Sequence, residues 1–247
     1  MHKIKSTIAM NELIKKINPL IELLIVLILG FGLFIYSSTR GFFIVSSNYS
    51  KTWTLKLTDQ GEFSVVIYET IALLIILYIL KIRNWSLSDF NLEFTFKMIW
   101  IGILLIFIRN IIGSIGYKLF ELVNIVDKST TTHVQYRLES NWISISLIII
   151  INSIYEEFIL IGYFFKRLEK YNPAIVIGLS LFIRLSYHTY QGWMSLFVII
   201  PTGLVFGYYY YKYKKLWPLI IAHGFWNLIA FLGMHFHWLE KLHNLKG

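Results

Sequence analysis

Apolar runs of about 18 to 22 residues recur along this 247-residue chain and leave it few folds to choose from. The hydrocarbon core of a bilayer is about 30 Å thick, and a helix crosses it in about 20 residues. The runs lie at 17–37, 63–81, 98–115, 142–164, 173–190, 194–211 and 216–234. In lipid every backbone N–H and C=O must be bonded within the protein, so runs of this length read as helices. The pattern predicts an all-α, polytopic transmembrane helical bundle with about seven membrane helices. Composition agrees: 15% of residues are charged, against about 25% in a soluble domain. With no cysteine in the chain, disulfides, thiolate metal ligands and a cysteine nucleophile are excluded.

The net charge of +9 does not mark a nucleic-acid binder, because the basic residues stand in short clusters between apolar runs. Lys15 and Lys16, Lys81 and Arg83, Lys166, Arg167 and Lys170, and Lys212, Lys214 and Lys215 form these clusters. No basic segment is long enough to track a phosphate backbone, whereas lysines and arginines flanking membrane segments set orientation and meet anionic lipid headgroups. With the N-terminus cytoplasmic, loops 82–97, 165–172 and 212–215 fall inside with net positive charge. Loops 38–62, 116–141 and 191–193 fall outside, as the positive-inside rule asks. The first run is longer than a signal-peptide core and reads as an uncleaved helix. Residues 84–97 read as an interfacial segment with Trp85 and its phenylalanines at headgroup level. The polar stretch 116–141 is a loop, and it divides an N-terminal unit, 1–141, from a C-terminal one, 142–247, within a single membrane domain.

Chemistry concentrates in the fourth, fifth and seventh runs; the others read as chemically blank. The fourth carries Glu156 and Glu157 side by side, deep in an apolar stretch. A charge at mid-membrane costs about 2.5 to 3.5 kcal/mol on insertion scales, so such residues face a polar cavity. Arg184 and His188 share one face of the fifth run, and His223 and Asn227 one face of the seventh, each pair spaced four apart. The turn signal Tyr171-Asn172-Pro173 closes a hairpin of the fourth and fifth runs. Antiparallel helices rise equally, so Glu156 is expected level with His188, and Arg184 opposite positions 160 and 161. His2, His133, His235, His237 and His243 lie in polar segments or at the last helix end.

These residues resemble the CPBP family of intramembrane proteases, the CAAX-protease and bacteriocin-processing or Abi family. Its motifs are Glu-Glu-x-x-x-Arg, Phe-x-x-x-His and His-x-x-x-Asn. Glu156-Glu157 matches the first and His223-x-x-x-Asn227 the third. His188 matches the second, in a bacterial variant that here reads Arg184-Leu185-Ser186-Tyr187-His188-Thr189-Tyr190-Gln191-Gly192. The resemblance covers about residues 142–234. Two positions depart from the pattern: Ile161 stands where the first motif has arginine, and Arg184 where the second has phenylalanine. Arg184 is expected to fill the space of the absent arginine and support Glu157.

The resemblance implies an intramembrane endopeptidase acting on a membrane-associated peptide or membrane-anchored protein. Glu156 with His188 would activate water, His223 and Asn227 would stabilise the oxyanion, and Glu157 with Arg184 would orient the site. No cofactor is firmly expected. The alternative is zinc on Glu156, His188 and His223, the ligand types that metal uses. A bacterial cell membrane is the expected location. The other reading of the same fold is a catalytically inactive immunity or regulatory protein that binds a peptide or membrane partner, and the absent arginine favours it. A proton-coupled transporter fits less well, since the polar groups gather in one hairpin and one helix rather than in two matching halves.

Overall fold

The computed structural model describes residues 11–46, 53–122, 134–192 and 195–236. His2, His133, His237 and His243 lie outside them. Among the described residues, seven helical rods are gathered into a bundle. Helix α1 joins Pro19–Leu27, a π turn at Ile28–Gly32 and Leu33–Ser46; α2 is Asp59–Ile82 and α3 is Lys97–Leu122. Helix α4 joins Trp142–Glu157, a second π turn at Phe158–Tyr163 and Phe164–Arg167. Pro173–His188 forms α5, continued by a 3₁₀ turn at Thr189–Gln191; Leu196–Tyr213 is α6 and Trp217–His235 is α7. Five of these, Pro19–Ile44, α2, α3, Trp142–Arg167 and α7, are long and apolar enough to cross a membrane. Helix α5 has only 16 residues, and α6 ends in tyrosines and lysine after an internal Pro201.

The helix starts are written in the sequence. Asn18 and Asn172 each precede a proline and accept a backbone N–H two residues on, the cap that satisfies an orphan donor while proline fits the first turn. Thr58 and Asn141 cap α2 and α4 in the same way. Asn172-Pro173 thus makes the expected turn between α4 and α5.

Two short strands correct the reading of 38–62 and 116–141 as plain loops. Trp53–Leu57 (β1) and Val134–Leu138 (β2) pair in parallel, Trp53 against Val134 through Leu57 against Leu138. Parallel strands need a long crossover, and α2 with α3 supplies it. Because each strand leads into a helix, the pairing starts α2 and α4 at one level and in one direction. The carboxylate of Asp59 ties the two starts together, accepting from Asn141 N at 2.8 Å, Asn141 Nδ2 at 2.9 Å and Ser144 Oγ at 2.6 Å.

Helix α4 is the centre of the bundle. More than half of its apolar window is buried (56%), against 22 to 33% for the other four spans, whose outer faces are left for lipid. The π turn of α1 faces it: Tyr155 Oη donates to the carbonyl of Gly30 at 2.6 Å and Tyr68 Oη to that of Leu29 at 2.7 Å. Gly113 of α3 lies so close to α6 that a β-carbon there would stand 2.2 Å from the carbonyl oxygen of Phe197. At the end away from the strands, Glu22 is fully enclosed by Arg83, Arg167 and Tyr163. The basic loops meet on this same face: Asn91 Nδ2 donates to Lys214 O, and residues 83–89 and 166–171 line a shared surface hollow. The segment at 84–97 is only partly interfacial. Phe94 and Phe96 are exposed, but Phe90 is buried against Phe158, and Trp85 packs on Phe90, Tyr163 and Arg167.

Candidate functional site

The adjacent carboxylates of α4 end its regular α stretch just before the π turn. A π turn adds a residue to a helix and re-aims its neighbours, and such turns are frequent at functional sites. Glu157 is fully buried and receives Arg184 through both oxygens, at 2.9 and 3.0 Å, with His223 Nδ1 2.8 Å from Oε1. Glu156 receives Tyr187 Oη at 2.6 Å and Arg184 Nη1 at 3.4 Å on Oε2, and Asn152 Nδ2 at 3.1 Å on Oε1. A buried charge is tolerable when it is paired and hydrogen-bonded, and both carboxylates meet that condition.

The hairpin register differs from the expected one by about a turn. Arg184 lies level with Glu156 and Glu157 rather than with positions 160 and 161, and Ser180 Oγ reaches Leu160 O. Helix α4 ends at Arg167 and α5 begins at Pro173, so the hairpin turns about position 170 rather than 172, which sets 180 opposite 160 and 184 opposite 156. Glu156 therefore meets Tyr187 and Arg184, while His188 sits one turn further along. The Nδ1 of His188 is 3.1 Å from Arg184 O. A carbonyl only accepts, so Nδ1 carries the hydrogen and Nε2 keeps a lone pair. His188, His223, Asn227 and Arg184 line one cavity of about 80 Å³, room for several water molecules, with Glu156 outside its lining.

Four further residues belong to this centre. Tyr187 stands next to His188 in the sequence and is hidden among tyrosines of the same apolar run. Asn152 lies four residues before Glu156, on the same face. Its Nδ2 also donates to Glu69 Oε1 at 2.7 Å, and its Oδ1 accepts from Asn227 Nδ2 at 3.3 Å. Glu69 of α2 and Arg109 of α3 are buried, so the second and third runs are not blank. The signal for both was present: an ionisable side chain in the middle of an apolar run.

The residues fit a metal poorly. Among the described residues, the carboxylates and histidine whose donor atoms lie within 4.8 Å of one another are Glu156, Glu157 and His223. His188, expected as a zinc ligand, is not in that group. The guanidinium of Arg184 already lies against both carboxylates. A divalent ion there would have to displace it or sit beside it, at a cost in repulsion that one histidine does not offset.

Residues 138–229 match the family model described as type II CAAX prenyl endopeptidase Rce1-like. The chain is also similar to UPF0177 protein YbdI of Lactococcus lactis, with 26% identity over 168 residues, 66% of this chain and 90% of that protein. No solved structure matches the chain. The matched region holds Glu156, Glu157, His188, His223 and Asn227 in motif order, and over it the chain is similar to the CPBP, or CAAX-protease, family.

Proposed function

We propose that the protein is an intramembrane endopeptidase acting on a membrane-associated peptide or membrane-anchored protein. The observation that carries this reading is the enclosed polar centre: two adjacent buried carboxylates, one guanidinium between them, and a cavity edged by two histidines and an asparagine. In the proposed reaction a water bound near His188 Nε2 attacks the scissile carbonyl carbon, and Glu156 takes its proton. His223, protonated on both ring nitrogens, donates Nδ1–H to Glu157 and Nε2–H to the oxyanion, joined by the amide of Asn227. As the intermediate collapses, the C–N bond breaks and Glu156 returns the proton to the leaving amine. Arg184 and Tyr187 hold Glu156 in place, and Arg184 neutralises Glu157. No step needs a metal.

The test is cleavage of membrane-tethered peptides by the purified protein in lipid vesicles, wild type against Glu156→Gln. Loss of a general base is expected to slow hydrolysis by about 10² to 10⁴-fold. Equal cleavage by the two proteins overturns the assignment. A second reading, a non-catalytic immunity or regulatory protein, is favoured by one feature: both oxygens of Glu156 already accept hydrogen bonds. Peptide binding without cleavage by the wild type decides for it.

A further inference from the structure

Arg109 has no task in the mechanism above. It sits midway along α3 and is 3% exposed. Its Cζ lies over the ring of Trp226, 3.5 Å from the centroid, and Nη1 reaches Val198 O and Thr202 Oγ1 only at 3.5 Å. Nη2 is buried with no partner. No carboxylate pairs with this cation among the described residues, in contrast to Arg83, Arg167 and Arg184, each of which meets a buried glutamate. An unpaired cation in a membrane interior is costly, so its persistence points to a ligand.

The place of Arg109 says what kind of ligand. It lines the same cavity as His188, His223 and Asn227, and the ring it stacks on, Trp226, is next to Asn227 on α7. The lining includes two arginines and two histidines and no acidic residue, since Glu156 and Glu157 lie behind Arg184. Arg184 is neutralised there, so Arg109 gives the cavity its net positive charge. A guanidinium held over an aromatic ring, with Nη2 unpartnered and Nη1 only weakly engaged, has donors left for a carboxylate and the charge to match it.

We propose that Arg109 receives a substrate carboxylate in this cavity, so that the preferred peptide carries a carboxylate close to its scissile bond. The group is either the peptide's own C-terminal carboxylate or the side chain of an acidic residue. The inference rests on the peptidase reading for the word substrate, but it is tested by binding, without turnover.

Full-length Glu156→Gln protein in nanodiscs is titrated with an apolar hexapeptide, carrying an uncharged coumarin label on its N-terminus, in three forms. One ends in a free carboxylate, one in an amide, and one in an amide with a single Asp beside it. A charge-assisted bidentate contact is expected to favour a carboxylate form by roughly tenfold to a hundredfold. Preference for the first form identifies the C-terminus, and preference for the third the side chain. The preference disappears with Arg109→Gln and is partly kept with Arg109→Lys. Equal binding of all three forms, or a preference that survives Arg109→Gln, overturns the proposal. Should Arg109→Gln fail to fold, competition on the Glu156→Gln protein decides: acetate is expected to displace the carboxylate peptide and acetamide not, and equal displacement by both overturns the proposal. Carboxylate preference without cleavage by the wild type would sink the peptidase reading alone.

Discussion

At the scale of single residues, Arg184 is where this chain departs furthest from the pattern of the family it resembles. Ile161, where the motif has arginine, is fully buried among apolar groups. The cation for Glu157 comes instead from α5, at 2.9 and 3.0 Å. Arg184→Ala leaves two adjacent buried carboxylates without the guanidinium that lies against both. The expected loss is about 3 to 5 kcal/mol of stability, read by thermal or chemical unfolding in detergent, together with loss of peptide cleavage. Ile161→Arg combined with Arg184→Phe restores the family's pair and is expected to recover part of both; no recovery would show that the two positions are not equivalent. Asn152→Ala is expected to weaken cleavage while leaving the fold, because Asn152 orients both Glu156 and Asn227. Unchanged turnover in that variant would assign Asn152 to packing. The sequence made Glu156, Glu157, His188, His223 and Asn227 visible because polar groups in apolar runs stand out. Tyr187 was not visible, since an aromatic in a membrane helix is unremarked until its hydroxyl is seen 2.6 Å from a carboxylate.

At the scale of elements, helices were legible and their irregularities were not. Apolar length specifies a membrane helix, but a π turn has no apolar period of its own, so the extra residue at Phe158–Tyr163 could not be read; nor could the end of α4 at Arg167, which centres the hairpin on position 170 and moves α4 one turn against α5. The strands were missed for a related reason. Trp53–Leu57 is five residues long, and its partner is some 80 residues away across two helices, a pairing that no local pattern announces. Close helix contact is a third property of this kind. Gly113 reads in the sequence as one of several membrane glycines, yet its missing β-carbon is what admits the Phe197 carbonyl. Pro201 lies four residues after Phe197 and has no N–H to offer that carbonyl, so α6 lacks its regular helical bond at the contact. Gly113→Ala places a methyl 2.2 Å from this backbone atom, which no side-chain rotation relieves. Overpacking of this kind is expected to cost about 1 to 3 kcal/mol and lower the unfolding temperature. Gly178→Ala, with nothing within 4 Å, is the matched control and is expected to leave it unchanged.

At the scale of the whole molecule, the open question is how far α5 and α6 reach. Neither meets the length and hydropathy of a spanning helix, yet α5 with the turn that follows it is long enough to cross. Its 16 residues rise about 24 Å, and the 3₁₀ turn Thr189–Gln191 adds about 6 Å, close to the thickness of a hydrocarbon core. The far end of that turn is pinned to α1: Tyr190 N donates to Ser38 Oγ, which also bonds Thr189. Ser38 lies about 28 Å along α1 from Pro19, the end that belongs to the face with the basic loops. The 3₁₀ turn Thr189–Gln191 is therefore at the end of the bundle away from the basic loops. Exchange of single residues for cysteine in this cysteine-free chain tests the arrangement with a membrane-impermeant maleimide. Lys170→Cys and Lys212→Cys, on the basic face, are expected to react from the cytoplasmic side, and Lys56→Cys on β1 from the opposite side. Ser195→Cys, almost isosteric, decides the count. Reaction from the side of Lys56→Cys means that α5 and α6 both cross and the bundle has seven spans. Reaction from the side of Lys170→Cys means that the pair dips into the membrane and returns, leaving five, and the cavity edged by His188 and Asn227 would then have to fill from the basic face.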